Sequence, residues 1–351
     1  MKVGVLTFYR GPNYGGYLQA SHLLDQIRLL GHEAEIIPYK NSEHLKADKV
    51  PLFLTRSVPW MKSQWEKRRA WNQFYRDFHP DEPKTKPEEV DWDDYSHVVV
   101  GSDVVWDYTS SVFGQDPSYF GVVPGRQSAR WIAYAPSCGV APADRLPNQL
   151  RESLKKFHKI SVRDENTATL VSAATGQLPQ QVVDPTWLPS SIKPPQTEEC
   201  DKILAIYAYH DISQDYVREI KDFAKRHDLE IVSYGFFKSW ADRNVTNLHP
   251  RDWVEDLRKS YSIVTGTFHG TLYALRMGKP FVTLSNRWIR NKVQAPIRAT
   301  DNDHKLLTNP SLLTPTLEEQ LGIGFCEGYE KVTELRERSA HFLRDALNRE
   351  D

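Results

Sequence analysis

Short apolar runs alternate with amphipathic segments along the first half of the chain. Residues 3–8 are mostly apolar, residues 16–30 carry apolar positions at helical spacing, and residues 34–39 are apolar again. This order of strand, helix and strand predicts a βαβ opening and a parallel sheet. The same pattern predicts further strands over 97–101, 131–135, 160–162 and 182–183, and helices over 60–78, 146–158 and 164–175.

A second alternation follows a proline-rich segment. Residues 185–200 hold four prolines among polar residues, a composition that resists regular structure and connects domains. Beyond it the pattern predicts strands over 203–209, 230–234, 262–265 and 281–284, and helices over 215–226, 251–260, 271–278 and the charged tail. We therefore expect two Rossmann-like α/β domains that face each other across a cleft, over residues 1–190 and 200–330, followed by a C-terminal helix over 331–351.

Composition and charge narrow the classes of function. The 351 residues suffice for two domains, and 40% hydrophobic with 26% charged residues is typical of a globular protein. The net charge of −1 offers no basic excess, so we expect no binding to nucleic acid. The three cysteines are scattered, and no apolar run approaches the ~18 residues of a membrane span, so we expect a cytoplasmic protein.

The segment YSIVTGTFHGTLYALRMG carries the most chemical information. β-Branched residues give way to helix formers, which predicts His269 at a strand-to-helix turn, where ligands bind in open α/β sheets. The helix start at Gly270 and Thr271 offers free N–H groups to a phosphate or carboxylate, and an imidazole beside them can transfer a proton. A histidine that only caps the helix explains the segment equally well.

Polar side chains also follow other predicted strands. Asn13 and Tyr14 stand beside two glycines after the first strand, where a plain β–α turn explains them equally well. Asp103 can accept a proton or hold a sugar hydroxyl, and the alternative is helix capping by Ser102 or Asp103. Trp106 can stack on a sugar ring or fill the core.

Cationic side chains lie after two further strands. Arg163 can bind a carboxylate or phosphate through two hydrogen bonds, and an ion pair with Asp164 or Asp184 is the alternative. Asp184 itself is interpreted as structural. A cluster beyond the strand at 281–284 can neutralise a phosphate, although a solvated loop explains it equally well; it comprises Arg287, Arg290 and Lys292.

Several common catalytic motifs are missing from the sequence. It contains no glycine-rich dinucleotide fingerprint, no Walker loop, no nucleophile elbow and no clustered metal ligands. We therefore expect no metal requirement and no nicotinamide or flavin cofactor.

Five segments occur together in one order: NYGGYLQA, GSDVVW, SVRDENT, VVDPTWL and TGTFHGTLYALRMGKPFV. In combination they resemble the polysaccharide pyruvyltransferase family. The resemblance implies two facing Rossmann-like domains of the glycosyltransferase B architecture. It further implies transfer of the enolpyruvyl group of phosphoenolpyruvate to two sugar hydroxyls, which forms a pyruvate ketal and releases phosphate. Phosphoenolpyruvate is then a co-substrate, and no cofactor is required.

The resemblance also implies roles for the candidate residues. Arg163 would bind one anion of the donor while the helix start holds the other, and His269 would donate a proton to the methylene carbon or to the departing phosphate. Asp103 would act as base or orient a hydroxyl. The donor side then comprises Arg163, His269, Gly270, Thr271, Arg287 and Lys292, and the acceptor side Asn13, Tyr14, Asp103 and Trp106.

Three positions depart from the family's pattern. Gly266 stands where an acidic residue is common, Val104 where a glutamine is usual, and Cys138 where an aromatic residue is frequent. These changes leave the donor-handling histidine and arginine in place and bear on the acceptor. Two alternatives stay open: a nucleotide-sugar glycosyltransferase of the same architecture, and an inactive carbohydrate-binding relative. Gly266 keeps the inactive relative open, whereas the presence of both Arg163 and His269 argues against it.

The expected partner is a sugar or glycan acceptor, and the sequence leaves open whether it is lipid-linked, nucleotide-linked or polymeric. A lipid-linked acceptor would require peripheral contact with the inner face of a membrane. The basic, tryptophan-rich segment over 56–76 is the candidate for that contact. A helix packed on the protein with a solvated basic face is the favoured interpretation of the same segment.

Overall fold

The computed structural model describes residues 1–49, 57–79, 82–111, 115–125, 128–188, 200–323 and 331–348. The strands it describes are β1 (Lys2–Leu6), β2 (Glu33–Ile36), β3 (His97–Val100), β4 (Arg130–Ala133), β5 (Lys159–Val162), β6 (Gln180–Gln181), β7 (Asp201–Tyr207), β8 (Glu230–Tyr234), β9 (Arg243–Val245), β10 (Ser260–Thr265), β11 (Phe281–Leu284) and β12 (Leu306–Leu307). The α-helices it describes are α1 (Tyr14–Leu29), α2 (Ser42–Lys49), α3 (Val58–Phe74), α4 (Asn148–Leu154), α5 (Glu165–Thr175), α6 (Gln214–His227), α7 (Pro250–Lys259), α8 (Phe268–Met277), α9 (Arg287–Ala299), α10 (Leu313–Ile323) and α11 (Thr333–Leu347).

The strands form two parallel six-stranded sheets, one in each half of the chain. Their orders are β2-β1-β3-β4-β5-β6 and β12-β11-β10-β7-β8-β9. In each sheet the order reverses beside the first strand, between β1 and β3 and between β7 and β10. Ligands of doubly wound sheets bind at such a reversal, outside the carboxyl ends of the strands. The expected architecture of two Rossmann-like domains is confirmed.

The central strands are apolar on both faces because helices cover both sides of each sheet. Every residue of β3 is buried, as are the last four residues of β1 and of β7. Sequence periodicity missed β9 and β12, which are edge strands too short to carry a pattern. The strand predicted at 182–183 lies two residues earlier, as β6.

An aromatic cluster joins the two halves. Tyr14, in the first turn of α1, stacks on Trp71 of α3 at 5.5 Å between ring centroids. On its other side it stacks on Tyr207 at 5.8 Å and on Trp253 of α7 at 5.0 Å. All four rings are buried. The apolar core therefore continues from one sheet to the other through these rings.

The last helix, α11, packs back against the first half of the chain. The Oγ of Ser339 accepts a hydrogen bond from the backbone N–H of Val183 at 3.0 Å. The Nε of Arg336 donates to the carbonyl of Trp187 at 2.7 Å. The predicted C-terminal helix thus packs against the end of the first half of the chain.

Residues 189–199 of the proline-rich segment lie outside the described residues. The domain limits 1–190, 200–330 and 331–351 therefore stay predictions. Among the helices that the structure describes, none combines the length and the hydropathy that a membrane crossing needs.

Candidate active site

His269 lies at the carboxyl end of β10, at the reversal point of the second sheet. The N-cap of α8 is Thr267, whose Oγ1 accepts from the N–H of Gly270 at 3.0 Å and whose carbonyl accepts from that of Thr271 at 3.2 Å. The prediction that these two N–H groups are free is therefore wrong. The helix begins at Phe268, three residues before the predicted start. Because Thr267 supplies the cap, the imidazole of His269 does not, and it is buried with 6% of the residue exposed. The capping alternative for this histidine is therefore wrong.

A buried carboxylate organises the residues around His269. Asp184 follows β6, and its Oδ2 accepts from Arg163 Nη1 at 3.0 Å and from Ser102 Oγ at 3.0 Å. Its Oδ1 accepts from the Thr186 backbone N–H and hydroxyl at 3.1 and 2.8 Å. His269 Nε2 lies 3.7 Å from Oδ2.

The charge of Asp184 is stabilised by this setting. Burial by itself would raise the pKa of the carboxyl, but His269 and Arg163 and the Thr186 N–H together hold that pKa well below its usual range. The carboxylate is therefore ionised at neutral pH. It links a cation from the first half of the chain to the histidine of the second.

Arg163 is held between acidic and aromatic groups. It follows β5 directly, as predicted, and its guanidinium lies over the ring of Phe268 with 4.3 Å between the guanidinium carbon and the ring centroid. Its Nη2 lies 3.7 Å from Asp103 Oδ1, beyond hydrogen-bond distance. The ion pair weighed against anion binding exists with Asp184, while Asp164 caps α5 instead.

Three buried nitrogen atoms in this cluster have no hydrogen-bond partner among the described residues. They are Nε and Nη2 of Arg163 and Nε2 of His269. A buried donor without an acceptor costs about 1–3 kcal/mol, and more when it is charged. A guanidinium and an imidazole with unpartnered nitrogen atoms, beside the start of a helix, are groups that can bind an anion.

Asp103 lies where the first half faces this cluster. Its φ of 73° is in the left-handed region, which is uncommon for a residue other than glycine. Its Oδ1 accepts from the N–H of Val104 at 2.8 Å, and no described helix begins here for Ser102 or Asp103 to cap. Backbone strain of this kind is concentrated at functional sites.

The basic cluster after β11 is a helix and not a loop. Asn286 caps α9 by accepting from the N–H of Ile289 at 2.8 Å, and Arg287 is the first helical residue. The side chain of Arg287 lies outside the described part. Lys292 is partly buried; burial lowers its pKa, while the nearby Asp103 acts in the opposite direction. Lys292 therefore faces the same cluster as Arg163.

The glycines of the first βα turn let α1 touch His269. Asn13 caps α1, and its Oδ1 accepts from the N–H of Gly15 at 2.9 Å and from the Tyr207 hydroxyl at 3.0 Å. A Cβ atom built on Gly15 would lie 2.1 Å from His269 Nδ1 and 2.3 Å from its Cγ. Only a residue without a side chain fits there.

We expect Gly15→Ala to displace His269 and to lower kcat by about 100-fold, because a shift of about 1 Å in a catalytic group costs that much. Gly11→Ala is the matched control, since a Cβ at Gly11 meets nothing within 4 Å. Steady-state rates of both variants test this expectation. Equal rates in the two variants would show that the contact between α1 and His269 has no catalytic consequence.

Two predicted acceptor residues lie in the core. Tyr14 is 1% exposed within the interdomain aromatic cluster, and Trp106 is fully buried. Trp106 Nε1 donates to the carbonyl of Tyr119 at 2.8 Å. The structure therefore places Trp106 as core, which was its alternative interpretation, and gives neither ring a surface for an acceptor. Asn13 is likewise occupied as a cap.

Sequence reasoning missed Asp184 and Ser102 as members of the site. The available signal was the carboxylate of VVDPTWL at the end of a predicted strand, the same position that singled out Asp103. Within the described ranges no group of three or more histidine, cysteine, aspartate or glutamate side chains is arranged to hold a metal ion.

The cluster can be compared with known proteins. A family model for polysaccharide pyruvyl transferase matches residues 13–287, a span that includes Asp103, Arg163, Asp184 and His269. The chain belongs to the polysaccharide pyruvyl transferase family. Family membership assigns the chain to transferases that act on polysaccharide. A search of curated proteins found no match.

Solved structures share the fold of this family member at low sequence identity. Arabidopsis thaliana UGT89C1 complexed with quercetin is similar over 99% of this chain and 98% of its own, with 13% identity and a TM-score of 0.53. Spinosyn rhamnosyltransferase SpnG gives 15% identity and a TM-score of 0.52 over 99% of this chain and 100% of its own. UDP-GlcNAc 2-epimerase from Neisseria meningitidis gives 11% identity and a TM-score of 0.52 over 99% of both chains. These likenesses concern the glycosyltransferase B-like fold alone.

Proposed function

We propose that this protein transfers the enolpyruvyl group of phosphoenolpyruvate to two hydroxyls of one sugar residue in a glycan or glycan precursor, forming a pyruvate ketal and releasing phosphate. The observation that carries the proposal is the set of unpartnered buried donors on Arg163 and His269, combined with membership of the family.

The donor chemistry matches this set of groups. Phosphoenolpyruvate carries a carboxylate and a phosphate, and each needs cations or oriented N–H groups. Arg163 would bind one of them through its free Nε and Nη2. The N–H groups of Phe268 and His269 at the start of α8 would bind the other, because those of Gly270 and Thr271 already donate to Thr267. Lys292 adds a second positive charge on the same side. The carboxylates of Asp103 and Asp184 offset part of this positive charge. Asp103 also supplies a base beside the donor.

Proton transfer would begin at His269. Its imidazolium donates a proton to the methylene carbon of phosphoenolpyruvate, which leaves an oxocarbenium-like centre at the neighbouring carbon. One sugar hydroxyl adds to that centre, and its proton passes to Asp103 and back to the imidazole. A second hydroxyl of the same sugar then displaces phosphate, which carries away the second hydroxyl proton. The carbon thereby exchanges one phosphate oxygen for two sugar oxygens.

The two halves of the chain would supply different parts of this reaction. Arg163, Asp184 and Asp103 come from the first sheet, and His269 comes from the second. General acid–base help contributes about 10²–10⁴-fold, so alignment of donor and acceptor across the cleft must contribute much of the remainder.

Phosphorus NMR of the purified protein tests the proposal. We expect phosphoenolpyruvate to yield inorganic phosphate only when an acceptor is present, in a panel of galactosides, glucosides and mannosides. A parallel set of reactions uses nucleotide sugars as donors. Phosphate release that does not depend on acceptor would contradict ketal transfer. Nucleoside diphosphate release in the parallel set would favour a glycosyltransferase, the second candidate.

A further inference from the structure

A cavity lies where α3 meets the loops after β7 and β8, and none of the residues around His269 lines it. Its volume is about 280 Å³. Ser57, the residue before α3, and Trp60, in its first turn, line one wall. Asp211, after β7, and residues 237–240, after β8, line the other. We refer to this cavity as the aromatic pocket.

The lining of the aromatic pocket combines flat rings with hydroxyl-binding groups. Trp60, Phe237 and Trp240 are each partly exposed, while Asp211 and Ser239 are open to solvent. Aromatic rings offer apolar faces, and carboxylate and hydroxyl oxygens bind hydroxyl groups. A sugar ring presents apolar C–H faces and a rim of hydroxyls, so it matches both features.

The charge of the pocket favours a neutral ligand. Lys238 is buried, and its Nζ donates to the carbonyl of His210 at 2.8 Å. The same Nζ lies 3.9 Å from Asp211 Oδ1. The ammonium is thus already offset by a carboxylate on the pocket wall. That carboxylate would repel a diphosphate, whereas it can accept hydrogen bonds from the hydroxyls of an uncharged sugar.

The aromatic pocket lies on the same sheet edge as His269. His269 follows β10, which pairs with β7, and β7 pairs with β8. Strand spacing separates the ends of β7 and β8 from the end of β10 by roughly 5–10 Å, a distance comparable with one sugar residue. Tyr209, just beyond the end of β7, is 66% exposed.

We propose that the aromatic pocket binds a second, uncharged sugar residue of the acceptor, next to the residue that receives the pyruvyl group. This inference rests on the proposed function for the identity of the first residue. It makes the preferred acceptor a glycan of at least two residues.

Binding without phosphoenolpyruvate tests the pocket separately from the reaction. Isothermal titration calorimetry and saturation-transfer NMR would compare cellobiose, lactose and mannobiose with the methyl glycosides of their constituent sugars. We expect at least one disaccharide to bind about tenfold more tightly than its monosaccharides, the size of one aromatic stacking contact. Trp60→Ala and Trp240→Ala should each remove that advantage, and Trp60→Phe should keep most of it.

Trp65→Ala is the matched control. Trp65 lies on the same helix, is 60% exposed, and does not line the pocket, so its loss should leave disaccharide binding unchanged. Any one of three results would overturn the inference. The first is equal affinity for disaccharides and monosaccharides, and the second is parent-like binding by the Trp60→Ala and Trp240→Ala variants. The third is competition by uridine diphosphate. Disaccharide binding with these properties but no acceptor-dependent phosphate release would support the pocket and reject the proposed reaction.

Discussion

Replacing His269 with alanine is expected to lower kcat for acceptor-dependent phosphate release by about 10²–10⁴-fold, the contribution of a positioned general acid. The imidazole lies 3.7 Å from the ionised Asp184 and is the proton donor in the proposed reaction. Water cannot readily replace it, because the residue is buried against α1 and the Asp184 carboxylate. Steady-state rates by a coupled phosphate assay measure the effect.

His269→Gln separates chemistry from packing. Glutamine fills much of the same space and can hydrogen-bond to Asp184, but it cannot donate a proton as an acid. We expect it to fold better than the alanine variant and to be as slow. His341→Ala, on the exposed face of α11, is the surface control and should retain the parent rate. A glutamine variant with the parent kcat would remove His269 from proton transfer.

Replacing Asp184 with alanine is expected to destabilise the protein by about 3–5 kcal/mol, the usual cost of removing one partner of a buried ion pair. The carboxylate accepts hydrogen bonds from Arg163, Ser102 and Thr186. Arg163 and Thr186 would lose this acceptor, whereas the Ser102 hydroxyl would keep the Ala135 carbonyl at 3.2 Å. Thermal denaturation would then show a midpoint several degrees lower. Asp215→Ala, at an exposed position of α6, should leave the midpoint within a degree or so of the parent.

The same carboxylate makes a pH-dependent contribution to stability. Its folded-state pKa is lower than the unfolded value of about 3.9, so the contribution is fully present above that pH and is lost as the pH falls. Asp184→Asn removes the charge but keeps an oxygen acceptor. We expect the parent to be more stable than Asp184→Asn at pH 7, and the difference to narrow below about pH 4. A difference that stays constant on acidification would mean that Asp184 is not ionised in the fold.

Several parts of the site could be predicted because their signals are local. Arg163 directly follows an apolar run, and Asp103 and His269 lie a few residues beyond one. Residues after a buried parallel strand emerge at one edge of the sheet. Periodicity over a few residues is enough to predict that position. The segment after β11 was weighed only as a phosphate-neutralising cluster or a solvated loop. The signals for α9 were nevertheless present, in the cap Asn286 and in the helical spacing of the buried Ile289, Val293 and Ile297.

Local patterns in the sequence were therefore enough to predict two Rossmann-like α/β domains, the strand ends near Arg163 and His269, and the family that shares this order of motifs. The folded structure was needed to show that Asp184 lies between those two side chains, that Gly15 makes room for His269, and that Tyr14 and Trp106 are core. Those outcomes depend on which sequence-distant elements pack against a side chain, and local sequence patterns do not predict that packing. Burial then changes the cost of each charge and each unpaired donor, and so decides which polar groups are left to bind a ligand.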